Sequence, residues 1–129
     1  MADSVQINSK ASPRFDGRTL KWFVGNTFPY AMDIELVDSG TGEPITLGAD
    51  DRIVVRFYDR KNNPVHEFSF SNLSQFESGG RQLVEIVMYF NEEVTKKFPI
   101  GKYNYCTTYY GEYTTTVWDN AEAEVEQCH

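Results

Sequence analysis

Little in these 129 residues offers chemistry. Two histidines and two cysteines are present, with no Cys-x-x-Cys, no His-Glu-x-x-His and no glycine-rich phosphate loop, so the common metal and phosphate motifs are missing. His66 lies inside an extended run and His129 is the last residue, and neither joins a nucleophile and an orienting group in a catalytic set. The reading is of a protein that is not an enzyme and uses no cofactor or metal. Cations are also scarce. Twelve Lys and Arg against nineteen Asp and Glu leave a net charge of -7, which opposes nucleic-acid binding, because such affinity is built from basic side chains neutralising phosphates. Long apolar runs are absent, and no window approaches the ~20 residues of a membrane span. Met1-Ala2-Asp3-Ser4-Val5-Gln6 has neither the basic start nor the apolar centre of an export signal, so the expected location is the cytosol or a particle released by lysis. Cys106 falls in a strand and Cys128 is penultimate, so a disulfide would pin the tail, whereas cytosolic thiols stay reduced; both states remain open.

Aromatic residues, in contrast, make up 15% of the chain, with eight Tyr and nine Phe. They recur with β-branched residues in short runs parted by Gly, Pro, Asn and Asp, the pattern of an all-β domain. At this length one core is expected, burying roughly two-thirds of the surface that the unfolded chain exposes. Residues 1–14 are polar and aperiodic and read as a flexible N-terminal arm, which leaves 15–129 as a single domain. Residues 19–24 form a first apolar cluster holding Trp22 and Phe23, either an edge strand over the core or an arm packing on a neighbouring subunit.

Residues 31–37 alternate cleanly, with Met32, Ile34 and Leu36 on the apolar face of a strand. A turn is expected over 38–44 and a brief extended piece over 45–47. Residues 52–58 and 65–70, joined through 59–64, read as a hairpin with Ile53, Val55 and Phe57 inward and Arg52 and Arg56 outward. The stretch 71–80 is a loop expected to tuck Leu73 and Phe76 onto the core. Residues 82–90 are apolar on both faces, which predicts a central strand covered on both sides.

The β pattern breaks at 91–98. Asn91 suits a helix N-cap, Glu92 and Glu93 the positive end of the dipole, and Lys96 and Lys97 the negative end, so one short helical turn is predicted. Pro99 and Gly101 then punctuate the chain. Beyond them Tyr103, Tyr105, Thr107 and Tyr109 share one face of a strand, while Lys102, Asn104, Cys106 and Thr108 share the other. Gly111 marks a hairpin turn leading to 114–118, Asp119-Asn120 a further turn, and 121–127 a last strand. Its aligned Glu122, Glu124 and Glu126 read as a solvated face, because cation cages draw ligands from several segments. About seven to eight strands joined by short turns predict an antiparallel immunoglobulin-like β-sandwich. Gly101 and Tyr103, following a helical corner, have the layout of a tyrosine corner, in which the Tyr103 hydroxyl ties down the corner's backbone. The cysteine that antibody domains place two residues later is Tyr105 here, so aromatic packing has to hold the sheets together.

Residues 38–47, the strand 53–58, and Gly101-Lys102-Tyr103-Asn104-Tyr105 followed by a hairpin and a final strand resemble small β-sandwich domains of tailed-phage structural proteins. The chain is similar to the N-terminal domain of the baseplate upper protein of phages infecting Gram-positive bacteria, over most of residues 31–127. That resemblance implies a structural role without chemistry, docking onto other tail or baseplate subunits, often in rings, in a virion or the cytoplasm of a bacterial host. Trp22 and Phe23 in the segment 1–24, together with sheet edges, are then the expected contacts, to other subunits or to further copies. A second reading is a carbohydrate-binding module with Tyr109, Tyr110 and Tyr113 as an exposed platform, unless those rings pack across the hairpin.

Overall fold

A computed structural model describes the backbone of residues 5–11, 19–112 and 115–127, with side chains for 20–112, 115–116 and 121–127. One sheet holds β1 (Val5–Ala11), β3 (Phe28–Asp38), β7 (Arg81–Phe90) and β6 (Phe76–Ser78), in the order β1-β3-β7-β6. The other holds β2 (Thr19–Phe23), β9 (Thr115–Glu126), β8 (Gly101–Tyr110), β4 (Arg52–Asp59) and β5 (Pro64–Phe70), in the order β2-β9-β8-β4-β5. The molecule is an all-β sandwich. Strict alternation builds its core: Tyr30, Met32, Ile34 and Leu36 of β3 and Ile86, Met88 and Phe90 of β7 meet Ile53, Val55 and Phe57 of β4 and the tyrosines of β8.

Aromatic rings join the layers. Tyr105 stacks on Phe57 with centroids 4.9 Å apart and shares a hydrogen bond with Tyr30 of the facing sheet. Burial pushes both phenols above their ordinary range, so the pair remains neutral. Further down, Trp22 packs on Phe28, Phe90 and Phe98, and Phe28 stacks on Phe90 at 4.7 Å. Between β7 and β8 the chain forms α1 (Glu92–Thr95), whose cap Asn91 accepts the Val94 N–H through Oδ1 at 3.0 Å. The chain then drops through buried Phe98, and the Tyr103 hydroxyl donates to the Pro99 carbonyl.

Five segments differ from expectation. Val5–Ala11, read as part of a flexible arm, is an edge strand paired antiparallel with β3 from Val5 opposite Asp38 to Ala11 opposite Met32. Main-chain hydrogen bonds hold an edge strand without the apolar alternation that signals a buried one. The segment 19–24 contributes β2, which runs parallel to β9, so the sandwich is not wholly antiparallel. In β7, Glu85 and Tyr89 are exposed on the outer face, which is therefore not covered; Leu83 opposite Phe76 and half-buried Val87 account for its apolar look. Phe76 itself remains 40% exposed instead of tucking onto the core. Finally, Asp119-Asn120 is no turn. The ladder passes from Tyr105 opposite Ala121 to Thr107 opposite Trp118, so β9 continues through with one extra residue, a β-bulge.

Candidate functional site

The two ends of the sandwich differ in chemistry. At one end lie the β2–β3 turn, the β4–β5 turn, the α1 corner and the close of β9, an arrangement fixed by Phe23 opposite Glu126, Gly101 opposite Val125 and Asp59 opposite Tyr103. This corner end keeps large apolar side chains in solvent: Phe23 is 45% exposed, Val24 42% and Ile100 54%, while Tyr89, 65% exposed near the same end, stands on the outer face of the other sheet. Among the described residues only Phe76 is a comparable exposed group elsewhere. Phe23 and Ile100 flank an open groove of about 760 Å³, whose other walls include Arg60, Lys102, Glu124 and Glu126.

Charges of both signs mix at the corner end. Lys21, Arg60, Lys61, Lys96, Lys97 and Lys102 stand among Asp59, Glu92, Glu93, Glu124 and Glu126. In the ladder Glu124 sits between Lys21 and Lys102. The Asp59 carboxylate caps its turn, accepting the N–H groups of Lys61 and Asn63 at 2.9 Å. Those bonds, Asn63 first, hold its carboxyl below the usual carboxylate range. His66 faces the corner, its ring edge-on to Phe68 at 4.6 Å and its Nδ1 accepting from Lys97 Nζ at 3.2 Å. Burial, then the Lys97 charge, lowers its pKa against the opposing pull of Glu67. His66 is a packing residue.

The opposite, loop end is acidic. Asp38, Glu43, Asp50, Asp51, Glu77 and Glu112 stand there against Arg52 and Arg81, and Arg81 is taken up by Glu35 in a two-point pair at 3.0 Å. Asp51 is buried, accepting from the Tyr109 hydroxyl at 2.6 Å and the Gly48 N–H at 2.9 Å. Burial first, and then this bond, pushes the Tyr109 phenol far up. Arg52 lies 4.4 Å over the ring of half-buried Tyr110, whose hydroxyl accepts from Arg56 at 2.8 Å, and Arg56 continues to Glu67 at 2.9 Å.

The residues expected at an interaction surface therefore part company. Trp22 is 6% exposed and belongs to the core, because its place in β2 points inward while that of Phe23 points out. Tyr109 is 3% exposed, and Tyr110 has its ring beneath an arginine, so these two make no open platform; Tyr113 lies outside the described residues. Gly101 and Tyr103 hold the corner. Cys106 is half-buried, and Cys128 lies outside the described residues, as does any pairing between them. Val24, Tyr89 and Ile100 were not expected at a surface, although Ile100 between Pro99 and Gly101 has no strand neighbour to fix an inward face. Among the described residues no group of three or more His, Cys, Asp or Glu is placed to hold a metal ion, and no helix is long and apolar enough to cross a membrane. No family model matches the chain, and no curated protein matches it. The arrangement itself offers cover for apolar surface, with charge of both signs around it.

Proposed function

We propose that this chain is a non-enzymatic docking module of a phage or prophage tail or baseplate, attached to other subunits by its corner end. The observation that carries the reading is the gathering of exposed Phe23, Val24 and Ile100 at that one end. An exposed apolar cluster rimmed by charge marks an interaction site, and covering a side chain of this size contributes up to about 1.5–3 kcal/mol. The resemblance to baseplate domains supplies the setting. An immunoglobulin-like relation is supported by the strand order, since β1-β3-β7-β6 take the places of strands A, B, E and D while β9-β8-β4 take those of G, F and C.

The test uses particles sedimented from a host that makes the protein. The wild-type chain is expected in the particle fraction. Joint replacement Phe23→Asp and Ile100→Asp is expected to leave it in the supernatant, with a Tm within about 2 °C of wild type because both positions are solvent-facing. A wild-type chain that never enters a particle sinks the proposal.

A further inference from the structure

We infer that the partner of the corner end is the corner end of a second copy, the two related by a two-fold axis. This rests on the docking reading above and names its occupant. Two arguments lead there. The first is charge. Copies of a chain carrying -7 repel one another over most of their surface, and the acidic loop end cannot meet its own kind without placing Asp50, Glu112 and their neighbours against the same acids. At the corner end Lys21, Arg60, Lys61, Lys96, Lys97 and Lys102 stand among Asp59, Glu92, Glu93, Glu124 and Glu126, so a two-fold operation can set opposite signs against each other. The second argument is apolar matching. A corner-to-corner contact covers Phe23, Val24 and Ile100 of one copy with the same side chains of the other. A corner-to-loop contact would cover them with a carboxylate-rich surface.

The groove geometry fits an isologous contact. Phe23 and Ile100 stand on either side of the end of β9, so a projecting apolar side chain from the partner has a seat between them. Among the described residues β2 is the outer strand beside this end, and antiparallel pairing of two β2 strands about their midpoint would place Lys21 against Lys21, which disfavours extension of the sheet there.

Light scattering of the full chain from about 1 to 500 μM is the test, with two sets of substitutions. The wild type is expected to reach twice its 14.8 kDa mass and go no further. Phe23→Asp with Ile100→Asp is expected to remain monomeric with a native circular dichroism spectrum, while Asp50→Lys with Glu112→Lys dimerises as the wild type does. A wild type that stays monomeric throughout overturns the inference. If particle attachment is still lost on corner substitution, docking survives with a different partner. Monomers from both sets that combine into a 1:1 dimer when mixed overturn it in favour of head-to-tail stacking.

Discussion

His66 shows how one side chain registers both packing and charge. Its ring lies against Phe68 and takes a proton-donating contact from Lys97, which ties β5 to the chain just after α1. Burial and the Lys97 ammonium both favour the neutral ring, so its folded pKa lies below the ordinary 6.5. As pH falls, the unfolded chain binds this proton first. The stabilisation tied to neutral His66 is therefore complete above about 6.5 and is lost as pH drops through the lower folded value. Titration followed by NMR is expected to place the His66 midpoint below 6.5, and Lys97→Met to move it upward. In urea unfolding, the wild type should lose more stability than His66→Gln between pH 7 and pH 5. A His66 midpoint at or above 6.5 would contradict the account. Tyr105 works by a different physics: its hydroxyl bonds Tyr30 across the sandwich, so this link between sheets does not depend on redox state.

At the β8–β9 turn a glycine is required by close approach. A Cβ on Gly111 would lie 2.7 Å from the Tyr109 oxygen and 3.0 Å from two of its ring carbons, and that ring is held by Asp51 inside the core. Gly111→Ala should cost about 1–3 kcal/mol through overpacking. In the Tyr109→Phe background the penalty should shrink, because the nearest atom is gone; equal penalties in urea titrations of both backgrounds would show that the contact is not the cause. The hairpin holding this turn was legible because Gly111 interrupts alternating aromatics, as were β3, β4, β5, α1 and the Tyr103 corner, where period or capping residues speak locally. What escaped reading depends on partners far along the chain. β1 is an edge strand whose backbone bonds leave no mark in side-chain order, and the bulge of β9 uses Asp119-Asn120, residues that equally suit a turn. The docking end was half-legible. Phe23 was marked by its apolar segment, whereas Ile100 becomes a neighbour of that site only through the pairing of β8 with β9.

For the whole molecule, the fate of the first twenty-four residues separates an exchangeable arm from a part of the core. An arm that only reaches a neighbour can be removed, leaving a smaller species with the same fold. Leu20 and Trp22, however, are buried, and Trp22 touches Phe28, Phe90 and Phe98, which together close the corner end of the sandwich. Truncating a buried Trp alone costs about 3–5 kcal/mol and a Leu about 2–5, set against a total stability of about 5–15 kcal/mol for a domain. Deletion of residues 1–24 also strips the parallel partner from β9 and bares that strand's edge. The deleted chain is therefore expected to lose its cooperative thermal transition. Deletion of residues 1–11 removes only the edge strand β1 and should keep a sharp, lowered one. Calorimetry of the two truncations decides between these pictures. A near-native Tm after deletion of 1–24 would mean that the five-stranded sheet closes without β2, and Phe23 would then have to be assigned to a detachable arm. Loss of the transition instead makes β2 part of what positions the corner end, so that Phe23 is held in place by the same strand that buries Trp22.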